Sequence, residues 1–464
     1  MTKLTALLLI MLLSAGCAVG PNYKRPSADV PGTYRGAIPQ EAAQPAAESF
    51  GDQKWWEAFQ DKQLQELIHT ALQQNYDVRI AATRILEARA QVGITRADQL
   101  PTIGAGVGAN NQQVEITKTY RQYDTSATQV GLALAWDLDF WGKYRRATEA
   151  ARANLLATEW AHQAVISTLV SDVAAAYFQL RTLDLQLEIS RRTLASRQDS
   201  LRLTQMLANG GAASMLDVRQ AEQLVFTAAE TIPDLERRIE QQENYLSTLL
   251  GNNPSPIARG RKLTEQPHVP EIPAGLPSSL LERRPDIREA EAQLIAANAQ
   301  IGVAKAAYFP QISLTANAGY QSSALTSLFS GPAGLWSFGG SVLQPAFAGG
   351  SIRSGVKLAE ARQQEALLIY RQTIQQAFRG VSDALVEYHK DWEFRQHQQQ
   401  LAVSAQDAAR LSEMRYRGGA ASYLEVLTNE TNYFAAELGL TQAQLNELLG
   451  LVRIYRNLGG GWQQ

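Results

Sequence analysis

The chain carries two copies of one unit, and this duplication constrains the fold more than any other feature of the sequence. Residues 90–93 (AQVG) recur as residues 299–302 (AQIG), and residues 210–218 recur as residues 418–426. The offsets, 209 and 208 residues, are nearly equal although the two matches lie more than a hundred residues apart. The sequence therefore predicts two whole repeats rather than a solenoid, whose period is about 20–50 residues.

Each copy contains a very long predicted helix. Residues 143–208 contain neither glycine nor proline, and residues 351–416 are the equivalent run with two glycines. At about 1.5 Å per residue, each helix would be on the order of 100 Å long. The apolar residues of the first run are spaced alternately three and four apart, as in a coiled coil. They are Ile166, Leu169, Val173, Ala176, Leu180, Leu183 and Leu187.

Each long helix is predicted to end at a glycine turn, residues 209–216 or 417–422, because glycine is a common residue at helix C-termini. A shorter helix is predicted after each turn, over residues 217–250 and 424–457. The two copies therefore share one order of elements: helix, strand, loop, strand, long helix, turn and helix.

Four segments between the helices have the period of a β-strand. In residues 128–140 the even positions are apolar and the odd positions are small or polar. The predicted strands cover residues 101–112, 126–141, 310–322 and 335–347. A soluble sandwich would alternate as well, but the aromatic residues near the strand ends and an export signal favour an outer-membrane barrel.

Four strands that face lipid cannot form a closed barrel alone. Every backbone polar group needs a partner inside a bilayer, and single-chain barrels need at least about eight strands to close. The chain is therefore predicted to share its barrel with copies of itself. Two copies would give eight strands and three copies would give twelve.

The N-terminus has the pattern of a lipoprotein export signal. An apolar run follows Lys3, and small residues then lead to Cys17, the single cysteine of the chain. We interpret residues 1–16 as a signal peptide and Cys17 as the acylated first residue of the mature chain. An uncleaved leader with a buried free thiol is the alternative. Ala18, the residue after the cysteine, is similar to the sorting signal of outer-membrane lipoproteins.

Composition and motifs argue against nucleic-acid binding and catalysis. The 43 basic and 45 acidic residues leave a net charge of −2, so no polyanionic partner is indicated. We expect no enzymatic activity and no cofactor other than a covalent lipid on Cys17, because no phosphate loop or nucleophile–base motif occurs. No metal site is expected, since the histidines are far apart in the sequence. They are His69, His162, His268, His389 and His397.

Several segments resemble the outer-membrane efflux protein family, the TolC/OprM-like outer-membrane factors, and in particular its lipoprotein branch in RND multidrug efflux systems. Residues 17–26 (CAVGPNYKRP) are similar to the acylated start of that branch. Residues 276–287 (LPSSLLERRPDI) resemble the most specific motif of the family, which opens its second repeat. Residues 136–143 and 455–462 also fit, so the likeness covers essentially the mature chain.

The resemblance implies an α+β membrane protein that assembles as a homotrimer. A 12-stranded outer-membrane β-barrel, with four strands from each chain, would continue into a long α-helical coiled-coil barrel in the periplasm. The implied partners are outer-membrane lipid, a periplasmic adaptor (membrane fusion protein) and an inner-membrane RND transporter. The implied function is a passive, gated efflux duct for small toxic compounds such as drugs, detergents, dyes or metal ions.

The same resemblance divides the chain into segments. Residues 17–60 would form the acylated N-terminal segment and part of a small equatorial domain. The repeats would cover residues 61–251 and 276–458, joined by an equatorial linker over residues 252–275. Residues 459–464 would form a C-terminal tail.

Candidate functional residues cluster at the two turns. By resemblance, the turns dock onto the adaptor through Gly210, Gly211, Ser214, Arg417, Gly418, Gly419 and Ser422. The family's periplasmic gate maps onto Asp217, Tyr416 and Glu425. Ordinary hairpin chemistry is the alternative, since a carboxylate in the first helical turn also stabilises the helix N-terminus by about 0.3–1 kcal/mol.

Two other functions remain open at this stage. A type I secretion system uses a similar exit duct for proteins, whereas the lipoprotein start favours small-molecule efflux. A periplasmic adaptor lipoprotein also has long helical hairpins, but it has no need for aromatic residues on alternating strands.

Overall fold

A computed structural model describes residues 18–36, 49–116, 121–267 and 272–462. The predicted signal peptide and Cys17 lie outside the described residues. The chain forms two compact units, one from Met1–Ser27, Arg84–Glu159 and Glu289–Arg371, the other from the remaining segments. Each unit takes segments from both repeats, so the compact units do not follow the predicted repeat boundaries.

The first unit contains a four-stranded antiparallel sheet in the order β1-β2-β3-β4. The strands are Thr102–Ile116 (β1), Arg121–Leu138 (β2), Gln311–Ser322 (β3) and Gly334–Leu343 (β4). The central pairing, β2 with β3, joins the two repeats and places Val130 opposite Tyr320. Within the described residues, β1 and β4 each pair on one side, so both outer edges of the sheet carry unpaired backbone groups.

The strand ends differ from the sequence prediction. The β1–β2 hairpin extends beyond the predicted limits at residues 112 and 126. The predicted strands were too short because the polar residues in this outer part show no apolar alternation. β2 ends at Leu138 rather than residue 141, because the side chain of the next residue, Asp139, is bound to the start of the following helix. The Asp139 carboxylate accepts hydrogen bonds from the backbone N–H groups of Tyr144 (3.1 Å) and Arg145 (2.8 Å) and so caps that helix. β4 ends at Leu343 rather than residue 347, shortly before Pro345.

Nine α-helices occur in the described residues. Three precede the first strand: Trp55–Ala58 (α1), Lys62–Gln74 (α2) and Tyr76–Ala97 (α3). The others are Lys143–Asn209 (α4), Met215–Leu249 (α5), Leu280–Arg283 (α6), Pro285–Ala306 (α7), Ser351–Arg417 (α8) and Tyr423–Asn457 (α9). Short 3-10 turns lie at Phe50–Asp52, Leu263–Glu265, Pro277–Ser279, Leu325–Ser327 and Gly331–Ala333.

The two long helices, α4 and α8, each have 67 residues and extend one residue beyond their predicted ends at residues 208 and 416. α5 begins at Met215 rather than residue 217, because Ser214 caps it. α9 begins at Tyr423, one residue before the predicted start at 424. In the part of the chain that the structure describes, no helix combines the length and the hydrophobicity that crossing a bilayer requires.

An N-terminal arm, residues 18–25, lies in the first unit and is held by polar contacts. The backbone N–H of Val19 donates to the carbonyl of Trp141 (3.0 Å). The buried guanidinium of Arg146 donates to the side-chain oxygen of Asn22 (2.7 Å) and to the Val19 carbonyl (3.3 Å). Farther along the arm, the Arg25 guanidinium pairs with Glu291 at 2.9 Å. The arm therefore has a fixed course directly after the position of Cys17.

The core of the second unit surrounds a buried carboxylate, Asp61, which is 1% exposed. Its Oδ1 accepts from the backbone N–H of Gln63 (2.9 Å) and so caps α2. Its Oδ2 accepts from the Tyr177 hydroxyl (3.1 Å) and the Arg261 N–H (3.0 Å). It also accepts from Nε2 of Gln266 (2.9 Å). One carboxylate thus ties the linker between the repeats to α2 and α4.

A buried ion pair joins α8 and α9, the helices on either side of the second turn. The Arg395 guanidinium on α8 pairs with the Glu447 carboxylate on α9. The two side chains are only 9% and 2% exposed. The pair therefore lies in the protein interior, where each charge depends on its partner.

Candidate functional site at the two helical turns

The two turns reverse the chain by the same backbone geometry. Gly211 has a φ of 77° and Gly419 a φ of 71°. The N–H of Ala212 donates to the carbonyl of Leu207 (2.8 Å), and Ala420 repeats this bond with Arg415 (2.9 Å). These are the bonds of a Schellman motif, in which the residue with positive φ is normally glycine. Only Gly211 and Gly419, the second glycine of each pair, therefore need the positive φ that glycine adopts easily.

The first turn is closed by a reciprocal cap. The N–H of Asp217 donates to the Ser214 hydroxyl (3.2 Å), and the N–H of Ser214 donates to the Asp217 carboxylate (2.9 Å). This capping box satisfies two backbone donors at the start of α5. In the single chain, the Asp217 carboxylate therefore acts as a local cap.

The second turn uses its carboxylate differently. Ser422 makes no side-chain cap for α9. The Glu425 carboxylate instead pairs with the Arg415 guanidinium on α8, at 3.2 Å. Both side chains are well exposed, at 58% for Arg415 and 39% for Glu425. This ion pair links the two helices across the turn, although exposed pairs of this kind contribute only about 0–1 kcal/mol.

Tyr416 packs against a small apolar cluster at the same end of the hairpins. Its ring meets the ring of Tyr423 edge to face, with centroids 5.3 Å apart. Tyr423, Val426 and Ala221 form the buried centre of this cluster. Burial, reinforced by the negative charge of Asp217, raises the pKa of the Tyr416 phenol, so the group is neutral at physiological pH. The structure thus packs Tyr416 against Tyr423, while Glu425 is held by Arg415.

Sequence reasoning did not identify Tyr423, which contacts Tyr416, or Arg415, which pairs with Glu425. The repeat offset could have directed attention to Tyr423, which occupies the position of Met215 in the first copy. Arg415 occupies the position of Leu207, so the first copy has no equivalent ion pair. The two turns therefore share a backbone but differ in their side-chain chemistry.

A buried cation, Arg197, lies between the helices of the second unit and was also missed. The side chain is 2% exposed, and its Nη1 donates to the carbonyl of Leu224 on α5 (2.8 Å). The guanidinium lies 5.1 Å from the ring centre of Phe434 on α9. Burial lowers the pKa of Arg197, whereas the negative charge of Glu430 raises it. Arg197 thus links α4 to α5 and α9.

The turns also present apolar side chains to solvent. In the first turn Met206, Met215 and Leu216 are 64%, 62% and 65% exposed. In the second turn Met414 and Leu424 are 51% and 56% exposed. Among the described residues, no group of three or more His, Cys, Asp and Glu side chains could hold a metal ion. The chemistry of the turns is therefore apolar contact with a few surrounding charges.

Comparison with known proteins gives a consistent result. The sequence profile of outer membrane efflux proteins matches residues 67–252 and 276–460. The cation efflux system protein CusC of Escherichia coli is 36% identical over 98% of this chain and 98% of its own length. The probable outer membrane lipoprotein SilC of Salmonella typhimurium is 35% identical over 99% of both chains. The crystal structure of the open-state MtrE channel of Neisseria gonorrhoeae is 31% identical, with a TM-score of 0.87 over 96% of this chain and 99% of that chain.

These likenesses define a class of outer-membrane channels that serve efflux systems, and they confirm the resemblance seen in the sequence. The chain belongs to the outer membrane efflux protein family. It is a channel component rather than an enzyme, placed in the outer membrane and extending into the periplasm.

Proposed function

We propose that three copies of this chain form one gated duct that carries small toxic compounds out of the periplasm. The observation that carries the proposal is the four-stranded sheet, whose two edges have no partner strand among the described residues. In a bilayer those edges need partner strands, and copies of the same chain supply them. Three copies would give a 12-stranded barrel. Drugs, detergents, dyes and metal ions are the proposed substrates, and the name of the relative CusC supports cations among them.

We propose a lipid anchor on Cys17 as part of the same assembly. The N-terminal arm supports this, because Arg146 and Trp141 hold the chain at Val19, two residues after the cysteine. Acyl chains attached there would begin near the junction of β2 and α4. The name of the relative SilC, a probable outer membrane lipoprotein, agrees with an anchor. A covalent lipid contributes about 0.8 kcal/mol for each CH₂ group that enters the membrane.

We propose that the two turns dock onto the tip of a periplasmic adaptor, which connects the duct to an inner-membrane RND transporter. Gly210, Gly211, Ser214, Arg417, Gly418, Gly419 and Ser422 would form the framework of this surface. The exposed methionines and leucines at the turns support the proposal, because flexible apolar side chains suit contact with a helical partner. Arg415 and Arg417 at the second turn are paired with Glu425 and Glu413, so their charges are balanced there.

Placing glutamate at Leu216 and Leu424 is expected to weaken adaptor binding by about 100-fold or more, because two charges would be buried in the contact. Binding of the purified channel to a purified periplasmic adaptor of an RND efflux system, measured by surface plasmon resonance, checks this. The matched control replaces both leucines with methionine, which conserves volume and should bind like the native protein. Native affinity in the glutamate variant would exclude the turns as the docking surface.

We propose that Asp217, Tyr416 and Glu425 form the periplasmic gate of the assembled duct. The double variant Tyr416→Ala with Glu425→Ala is expected to raise single-channel conductance in planar bilayers by about two-fold or more. It removes the aromatic contact with Tyr423 and the ion pair with Arg415. In the proposed gate, these contacts would keep the constriction narrow.

The control for the gate is a second tyrosine–glutamate pair on α9, farther from the turn. The Tyr433 hydroxyl donates to the Glu437 carboxylate at 2.8 Å. Replacing both with alanine removes the same two types of side chain, here both from α9, and should leave conductance unchanged. If the variant at Tyr416 and Glu425 also conducts like the native channel, the gate assignment is wrong, although the duct itself would stand.

A further inference from the structure

The methionines of the chain have an unusual distribution. Of the five in the sequence, two lie in the predicted signal peptide. The other three, Met206, Met215 and Met414, each lie four residues from a turn glycine. No methionine therefore occurs in the long coiled-coil seams or in the sheet of the mature chain, although this residue is readily accommodated in apolar packing.

All three methionines expose their side chains. Met206, Met215 and Met414 are 64%, 62% and 51% exposed. The backbone carbonyls of Met206 and Met414 accept the N–H groups of Gly210 (3.1 Å) and Gly418 (3.0 Å), which close the turns. A chemical change at the thioethers can therefore alter the surface of the turns without breaking the hydrogen bonds that shape them.

We propose that these three methionines are a redox-sensitive modification site that controls docking of the adaptor. The inference rests on the docking function proposed above. The oxidant is a peroxide or hypochlorous acid. With a peroxide, the thioether sulfur attacks an oxygen atom, the O–O bond breaks and water leaves. With hypochlorous acid, the sulfur attacks chlorine and the O–Cl bond breaks; the oxygen of a water molecule then bonds to sulfur as chloride and protons leave. In both reactions sulfur loses two electrons and gains an S–O bond.

Oxidation changes the chemistry of the docking surface in one direction. A thioether is apolar and flexible, whereas a sulfoxide carries a strong acceptor oxygen. In an apolar contact that oxygen would be buried without a hydrogen-bond donor, which disfavours binding. Three sulfoxides on the two turns therefore weaken the contact with the adaptor. Methionine sulfoxide reductases reverse the reaction, so the change is a switch rather than permanent damage.

The test uses the purified full-length channel in detergent, exposed to hypochlorite at low molar excess. Peptide mass spectrometry should find sulfoxide at all three methionines. Affinity for the adaptor should fall by about ten-fold or more, and treatment with methionine sulfoxide reductases A and B should restore it. The variant with Met206→Leu, Met215→Leu and Met414→Leu keeps the apolar surface and should bind equally well before and after hypochlorite.

The outcomes separate this inference from the docking proposal. If the methionines oxidise and affinity does not change, the switch is wrong. If the leucine variant loses affinity after hypochlorite as the native protein does, other residues are responsible and the switch is also wrong. The docking proposal itself is tested without any oxidant. It would be wrong if the variant with Leu216→Glu and Leu424→Glu bound the adaptor with native affinity.

Discussion

Replacing Glu447 with alanine is expected to lower the free energy of unfolding by about 3–5 kcal/mol, because the variant buries the Arg395 guanidinium without its ion-pair partner. Both side chains lie in the interior, at 9% and 2% exposure. The cost comes from the desolvated charge that remains rather than from the attraction that is lost. Denaturation by guanidinium chloride, followed by far-UV circular dichroism, measures the change.

Two further variants make this prediction specific. Arg395→Met combined with Glu447→Leu removes both charges, keeps the apolar volume, and should recover most of the lost stability. Glu393→Ala breaks the exposed pair between Lys390 and Glu393, whose side chains are 69% and 54% exposed. That change should leave stability almost unchanged, because both charges of this pair are exposed to solvent in the native protein. Equal losses from Glu447→Ala and Glu393→Ala would show that burial of the first pair has no energetic consequence.

Replacing Asp61 with alanine is expected to destabilise the second unit by about 3 kcal/mol or more. The variant leaves the Tyr177 hydroxyl, the Arg261 N–H and the Gln266 amide without their acceptor in the interior. Each buried donor without a partner costs about 1–3 kcal/mol. The linker between the repeats should also detach, and faster tryptic cleavage at Arg261 and Lys262 would report this directly.

Two further variants test how much the individual hydrogen bonds to Asp61 contribute to stability. Asp61→Asn keeps one acceptor oxygen for the α2 cap but loses acceptor capacity toward Tyr177 and Arg261, so it should fall between the native protein and alanine. Asp234→Ala, which removes an exposed carboxylate from α5, is the control and should change stability by less than about 1 kcal/mol. If Asp61→Asn is as stable as the native protein, the cap alone explains the role of Asp61.

The helices were largely predictable, because their signals are local. A long run without proline defines α4, and glycine at a positive φ ends both α4 and α8, so the predicted ends differ from the structure by one residue. The strands were harder. The polar outer part of the β1–β2 hairpin carries no alternation, so its full length is visible only in the pairing between the strands.

The candidate site was predictable in position but not in its contacts. Asp217, Tyr416 and Glu425, the positions that the family resemblance indicated, all lie at or beside the turns. Their partners, such as Arg415 and Tyr423, depend on how the helices pack around each turn. The buried groups at Asp61 and Glu447 were missed for the same reason, since Tyr177 and Arg261, which donate to Asp61, lie more than a hundred residues away in the sequence. The gate role itself stays a prediction.

The pairing of β2 with β3 sets the order in which the molecule can be assembled. Val130 and Tyr320 are neighbours in the sheet although 190 residues separate them in the chain. The sheet therefore cannot form until more than two thirds of the polypeptide has been delivered, and closing so long a loop is slow. During this interval the β1–β2 hairpin lacks its partner strand β3, and its apolar residues stay exposed. Chaperones that hold such hairpins apart, and proteases that remove those left waiting, are thus expected to govern how much channel a cell produces.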